Sequence, residues 1–325
     1  MKVLITGASG YLGQHFLKAV IQKYQKLDSD EIEIFAIYGS LKGFADAVVS
    51  SFENGESSTI SVKIDKLNLT NESEVKSYIT SSGPFEICFH LAAMASPKLC
   101  QQNEEKCRDL NIPKHFFESL RDTCVVALST DQVYCGDKSP YMESDEVGPK
   151  NVYAQSKRDM EYELLNDTKR SKPVVCLRSS IILGPLVPYD ENAHSTFLHF
   201  CQSRKGVETT FFTDEVRSVI AVKDVVNILL HFSDQIESGN EFTSGVYNMG
   251  GEDNCSRMDM AVAVADQCSF THEKIFIPAQ KAKIEQRVND VPSPLDISMN
   301  SSKLESLVGW KFSGLKAIVK AALSE

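Results

Sequence analysis

The feature that most constrains this chain lies in its first thirteen residues. Val3-Leu4-Ile5 is a short apolar run that leads directly into Thr6-Gly7-Ala8-Ser9-Gly10-Tyr11-Leu12-Gly13. Leu12, Phe16, Ala19 and Val20 then recur at helical spacing. An apolar run ended by glycine reads as a buried parallel strand, so the predicted local structure is strand, tight turn, helix. Gly7 permits the tight turn, Gly10 lets the backbone approach a pyrophosphate, and Gly13 lets helix and strand pack closely. The helix start would present free N–H groups and partial positive charge to phosphates. Glycine triplets also occur in ordinary strand-to-helix turns, and this Gly-x-x-Gly-x-x-Gly spacing is one residue longer at its first step than the common dinucleotide fingerprint. Its place between a strand and an amphipathic helix makes it predict dinucleotide binding, with Tyr11 and Leu12 inside the phosphate loop.

Further apolar runs follow at Ile32–Tyr38, Ile60–Ile64, Ile87–Ala93, Cys124–Leu128 and Val174–Leu177, most of them separated by helix-like stretches. Strands alternating with helices imply βαβ units. The fold class predicted is α/β, a Rossmann-type doubly wound parallel sheet. From about Ser180 the rhythm weakens. Pro185, Pro188 and Asn192 mark a loop, and two late helices are predicted over Ser256–Gln267 and Leu315–Leu323. The organisation expected is a dinucleotide-binding domain over 1–180, with chain returning around 215–250, and a smaller α/β substrate domain over 181–325.

Composition narrows the function classes. Of 325 residues, 42% are hydrophobic and 24% charged, which is globular rather than disordered composition. The net charge of −10 argues against a nucleic-acid surface. Apolar runs stay short of the ~20 residues that cross a bilayer, so no membrane partner is expected. The N-terminus turns glycine-rich too early for a signal peptide. Nine cysteines, an odd number with no Cys-x-x-Cys pair, suit reduced thiols and a cytoplasmic location.

The choice of dinucleotide is read at the end of the second strand. An NAD site usually offers an acidic side chain there for the ribose 2′-hydroxyl. This chain reads Ala36-Ile37-Tyr38-Gly39-Ser40-Leu41-Lys42, with no carboxylate, and Ser40 and Lys42 would accept a 2′-phosphate. NADP is the cofactor expected, with NAD as the alternative.

Tyr153-Ala154-Gln155-Ser156-Lys157 puts a phenol and an ammonium on one helix face. Tyr38/Lys42 and Tyr134/Lys138 share that spacing, so context decides. Tyr153 opens a predicted helix over Asn151–Leu165, just past a fifth strand ending Leu128-Ser129-Thr130-Asp131. Ligands of doubly wound sheets bind at the C-terminal ends of the strands. The fourth strand ends His90-Leu91-Ala92-Ala93, whose small residues would let a cofactor lie flat. The chemistry implied is hydride delivery to a carbonyl carbon, with an acid protonating the oxygen. Lys157 would lower the Tyr153 pKa, and Thr130 would hold the carbonyl oxygen.

In their order and spacing these motifs resemble an extended short-chain dehydrogenase/reductase. Ser129-Thr130-Asp131-Gln132-Val133-Tyr134-x-Gly136 and Leu177-Arg178-Ser179-Ser180-Ile181-Ile182-x-Gly184-Pro185 narrow the likeness. So do Val222-Lys223-Asp224-Val225 behind Arg217 and the tail Pro294-Leu295-Asp296-Ile297-Ser298-Met299-x-x-x-Lys303-Leu304. Together they are similar to the dTDP-4-dehydrorhamnose reductase branch, in particular its eukaryotic, plant-type members. That branch also contains the regulatory beta subunit of methionine adenosyltransferase. The resemblance implies a catalytic trio of Thr130, Tyr153 and Lys157. It implies cofactor contacts by Gly7, Gly10, Tyr11, Leu12, Gly13, Asn68, Leu69, Leu91, Ala92, Ala93, Ser179, Ser180 and Ile181, with Asp131, Gln132, Val133 and Arg217 facing the substrate. The branch's Arg-Pro pair is missing from Arg287-Val288-Asn289-Asp290-Val291-Pro292-Ser293-Pro294. The implied activity is NADP-dependent reduction of a nucleotide-linked 4-keto-6-deoxysugar. The alternatives are a dinucleotide-binding regulator of a methionine adenosyltransferase and a sugar-nucleotide epimerase, and a homodimer is a further expectation.

Other signals are weaker. The seven histidines lack metal-ligand spacing, so no metal is expected. Cys100 and Cys107 read as loop thiols of no consequence, with redox sensitivity as the alternative. Glu143-Ser144-Asp145-Glu146 reads as a solvated loop over the active-site entrance, and Arg178, Arg204 and Arg217 as cations able to grip a diphosphate.

Overall fold

The computed structural model describes residues 1–25, 32–39, 41, 43–51, 60–189, 194, 196–240, 242–283 and 290–323. The elements through residue 179 are β1 (Lys2–Thr6), α1 (Tyr11–Tyr24), β2 (Ile32–Tyr38), α2 (Phe44–Ser50), β3 (Ile60–Lys66), α3 (Glu72–Ser82), β4 (Ile87–His90), α4 (Pro97–Gln102), α5 (Glu104–Asn111), α6 (Lys114–Ser119), β5 (Cys124–Thr130), α7 (Val152–Leu165) and β6 (Val174–Ser179). Then follow β7 (Ile182–Leu183), α8 (Phe197–Gln202), β8 (Thr209–Phe212), β9 (Val216–Ser218), β10 (Ile220–Ala221), α9 (Val222–Glu237), β11 (Gly245–Met249), β12 (Asn254–Ser256), α10 (Arg257–Gln267), β13 (Phe276–Ala279), α11 (Ser302–Val308) and α12 (Leu315–Leu323).

Seven strands form one sheet in the order β11-β6-β5-β4-β1-β2-β3, and every neighbouring pair is parallel. A parallel sheet is buried on both faces, which is why its strands are continuous apolar runs rather than alternating ones. Phe16, Leu17 and Val20 of α1 with Val225, Ile228 and Leu229 of α9 cover one face. Val75 of α3, Phe116 and Phe117 of α6, and Met160 and Leu164 of α7 cover the other. The chain order reverses between β1 and β4, and that switch point opens a crevice at the strands' carboxyl ends.

Past β6 the chain builds a second core. Leu183, Leu198, Phe211, Met260, Val264 and Ile318 pack there with α8, α10 and α12 around short paired strands. Its strands are two to four residues long, too short to show a period in sequence. Two expectations need adjustment. The fourth strand stops at His90 rather than Ala93, because the Ala92 N–H turns to Thr6 Oγ1 (3.3 Å) instead of a neighbouring strand's carbonyl. Cys100 and Cys107 lie fully buried in α4 and α5, so they are not loop thiols. No helix among the described residues is long and apolar enough to cross a membrane.

Candidate active site

The glycine turn forms a cradle at the switch point. Gly7 has φ +71°, and a Cβ there would lie 2.6 Å from the Ala92 nitrogen, so only glycine lets β1 and the β4 exit approach this closely. A Cβ on Gly13 would stand 2.1 Å from the Gly7 carbonyl oxygen, so this glycine packs α1 against the turn itself. A Cβ on Gly10 would meet only that same oxygen, at 3.2 Å. Gly10 is the N-cap of α1 and supplies no side-chain cap, leaving first-turn N–H groups for a ligand. Leu12 is buried in the core, so it offers a ligand its backbone alone, and the Tyr11 hydroxyl donates to the Pro185 carbonyl (3.0 Å). The cradle's open backbone and uncapped helix start fit a dinucleotide pyrophosphate.

Around the cradle, Asn68 is exposed and its side chain accepts from the Thr70 N–H (3.1 Å), while Leu69 is buried under it. Leu91, Ala92 and Ala93 are half-buried along the crevice. Ser179 ends β6 and Ser180 follows it, and the Ile181 carbonyl accepts from the Ile220 N–H (3.0 Å). Ser40 and Lys42, on which the cofactor choice rests, lie outside the described residues.

Tyr153 sits in the first turn of α7, whose N-cap Asn151 accepts from the Ala154 N–H (2.9 Å). Its hydroxyl faces the Thr130 hydroxyl at the end of β5. The sequence places these residues on different elements, and the sheet order brings them to one rim. Burial raises the Tyr153 pKa, outweighing the Thr130 hydrogen bond. Burial therefore outweighs any depression that Lys157 alone exerts. The Lys157 ammonium is buried and donates to Met160 Sδ at 3.4 Å. Burial lowers its pKa to about 8, opposed by Cys176 and Glu161. His90 beside it is pushed down to about 3, first by burial and then by the Lys157 charge, so its imidazole is neutral. Its Nδ1 pairs with Thr6 Oγ1 at 3.0 Å.

Asp131 is 3% exposed, and its carboxyl faces the Ser180 hydroxyl; Asp131 Oδ2 and Ser180 Oγ have no other partner. Burial raises the Asp131 pKa, and Arg217 is the main opposing influence. These two polar atoms beside Thr130 have capacity left, so a ligand's hydroxyl would complete their hydrogen bonds. Gln132 accepts from the Asn151 amide through its carbonyl oxygen (3.1 Å) and is half-buried, while Val133 is fully buried, so the Val133 side chain does not face a substrate.

The arginines depart from expectation. Arg217 donates to the carbonyls of Val216 (2.7 Å), Leu295 (2.6 Å) and Pro294 (2.9 Å), tying the C-terminal segment to β9. Arg178 is buried against Glu161, with Nε to Oε1 at 3.1 Å and Nη2 to Oε2 at 2.8 Å. Neither guanidinium is available to a diphosphate. Arg204 lies over the Phe200 ring, 5.1 Å from its centroid. Glu143 is not simply solvated either, since its Oε1 accepts the Asn248 N–H at 2.9 Å.

Sequence reasoning missed the supports of the site. The Asn111 amide donates to Ser156 Oγ (2.8 Å) and its oxygen accepts the Met94 N–H (2.7 Å); Ser156 Oγ donates to the Tyr153 carbonyl (2.7 Å). That clamp fixes the first turn of α7 against the β4 exit. Ser156 lies inside the Tyr-x-x-x-Lys run, but Asn111 has no local signal.

Comparison with known proteins agrees with this architecture. The family model described as RmlD substrate binding domain matches residues 1–325. The dTDP-4-dehydrorhamnose reductase of Aggregatibacter actinomycetemcomitans is 24% identical over 271 residues, covering 82% of this chain and 79% of that protein. The methionine adenosyltransferase 2 subunit beta of Danio rerio is 24% identical over 270 residues, covering 82% and 73%. Among solved structures, a hypothetical dTDP-4-dehydrorhamnose reductase from Sulfolobus tokodaii superposes with TM-score 0.72 at 22% identity, over 97% of this chain and 98% of that one. The UDP-glucuronic acid 4-epimerase of Bacillus cereus, solved with UDP-glucuronic acid and NAD, superposes with TM-score 0.74 at 17% identity, over 99% and 97%. With a dinucleotide cradle at the switch point and a family match along its whole length, the chain belongs to the RmlD substrate binding domain family, on the extended short-chain dehydrogenase/reductase fold.

Proposed function

We propose that the protein is an NADP-dependent reductase of a keto group, acting on a nucleotide-linked 4-keto-6-deoxysugar. The observation that carries this is the meeting of the Tyr153 and Thr130 hydroxyls at the carboxyl end of β5, with Lys157 one turn along the same helix as Tyr153. A bound nicotinamide dinucleotide supplies the hydride. Gly7, Gly10 and Gly13 hold its pyrophosphate, and Ala92 and Ser180 flank the nicotinamide end. Tyr153 gives its proton to the carbonyl oxygen, and the Thr130 hydroxyl hydrogen-bonds that oxygen. Lys157 turns from Met160 toward the ribose and the phenol, where its charge favours the phenolate. Asp131 Oδ2 and Ser180 Oγ take sugar hydroxyls. The preference for NADP rests on the absence of a carboxylate in the turn after β2.

The test is NADPH oxidation with a dTDP-4-keto-6-deoxysugar generated in situ, beside Tyr153→Phe. Losing the proton donor should lower turnover by about 10²–10⁴-fold with cofactor affinity nearly unchanged. An unchanged rate in the variant removes Tyr153 from the chemistry. A second reading is favoured by the relatives named methionine adenosyltransferase 2 subunit beta: the chain would bind dinucleotide and regulate such a transferase. Tight NADPH binding without turnover, together with co-purification with that enzyme, would select it.

A further inference from the structure

The buried pair Glu161–Arg178 is the longest-range feature attached to the catalytic helix. Glu161 lies one turn beyond Lys157 on α7, and both side chains are buried. Its carboxylate takes three further contacts: from Ser129 Oγ at 2.5 Å, and from Arg178 Nε and Nη2 at 3.1 and 2.8 Å. The chain of bonds continues outward. Arg178 Nη1 donates to the Tyr134 hydroxyl (2.9 Å), Tyr134 donates to Asn248 Oδ1 (2.7 Å), and the Asn248 amide donates to the Tyr141 carbonyl (3.0 Å). Every member of this series is buried. Replacing a buried ion pair with apolar residues is often neutral or stabilising, so the pair's presence is not explained by stability alone.

We propose that Glu161 is a positioning residue for Lys157: held by Ser129 and Arg178, it keeps a fixed negative charge one helical turn from the ammonium, so that Lys157 is protonated when Tyr153 works. This rests on the reductase reading above. The other groups around Lys157 do not supply that charge. His90 on β4 is neutral; burial raises the pKa of Cys100 on α4 and Cys176 on β6, so the opposition Cys176 offers to the Lys157 shift is no standing charge at neutral pH, and Cys107 on α5 is a buried thiol. Arg178, on β6, pairs with that carboxylate. It is the carboxylate, one turn away on the same helix, that favours the Lys157 charge.

The polarity gives opposite effects on the alkaline limb of activity, where Tyr153 and Lys157 lose their protons. Glu161→Gln leaves Arg178 uncompensated and should move that limb to lower pH by about one pH unit, the scale of one charge at this spacing. Arg178→Gln leaves the carboxylate alone and should move it to higher pH. The double variant removes both charges of the pair and leaves neither uncompensated, so it tolerates folding best, and its limb should fall slightly below that of the parent protein. A role in packing alone predicts no such order. A folded Glu161→Gln or double variant whose limb coincides with the parent's would overturn the proposal, as would both single variants moving the same way. The same order should appear when the Lys157 protonation is followed by the pH dependence of stability against matched Lys157→Met backgrounds, which needs no substrate. The order present there without turnover in any protein keeps the assignment of Glu161 and rejects the reductase reading; turnover with no such order does the reverse.

Discussion

Replacing Lys157 with methionine should stabilise the protein while removing its activity. The ammonium is 2% exposed and makes a single 3.4 Å contact with a thioether sulfur. Its pKa falls from 10.5 to about 8 because burial penalises the charge. One pKa unit corresponds to about 1.4 kcal/mol, so the charged form makes folding less favourable by about 3 kcal/mol at neutral pH. Methionine matches the stem's shape and carries no charge. For a chain of this length the melting entropy makes that difference about 4–5 °C in Tm. Its pH dependence is specific. The folded pKa is the lower one, so the unfolded chain binds the extra proton between pH 8 and 10.5. The advantage of the variant is therefore complete below pH 8 and disappears as the pH approaches 10.5. Urea unfolding of both proteins across that range measures it. A parent more stable than the variant at neutral pH, or a difference that ignores pH, would refute the claim that charge burial is what Lys157 endures in the free protein.

Other expectations follow from the same geometry. Gly13→Ala forces a Cβ to within 2.1 Å of the Gly7 carbonyl oxygen, so the turn must shift. NADPH binding, read by fluorescence titration, should be lost, and stability should fall by about 1–3 kcal/mol as in other overpacked sites; wild-type affinity would exclude the cradle as the pyrophosphate site. His90 titrates near 3 in the fold against 6.5 unfolded, so the unfolded chain takes up the extra proton as pH falls through that window. Acidification from 6.5 to 3 should draw about 4–5 kcal/mol from the stability of the parent, and His90→Gln should be spared that part. Equal acid sensitivity in both proteins would show that His90 can be charged in place.

The parallel sheet was legible in the sequence because each strand, buried on both faces, is an unbroken apolar run. The active-site helix was legible for a different reason. Tyr153 and Lys157 gain meaning only from a strand end, Ser129-Thr130, that local pattern also identifies. What local pattern does not carry is direction. Lys157 points to Met160, Arg178 to Glu161 seventeen positions earlier, and Arg217 to Leu295 seventy-eight positions later. A charged residue's type advertises possible partners, and only the folded chain decides which are within reach. The C-terminal lobe was the least readable part, since its strands, two to four residues long, span at most two repeats of the strand alternation.

The edge position of β11 bears on how the chain is assembled during synthesis. Val174–Ser179 is buried along its whole length, and one of its two flanks is closed only by residues 245–249. A nascent chain that has just released β6 therefore shows an apolar strand with unpaired N–H and C=O groups, and does so until some seventy further residues have emerged. A fragment ending near residue 180 would carry the cradle and the helix that bears Tyr153 and Lys157, yet expose a sticky seam to other chains. The protein must be completed through Met249 before it is safe from its neighbours. Ribosomal pausing or proteolysis inside that interval is where losses to aggregation should concentrate.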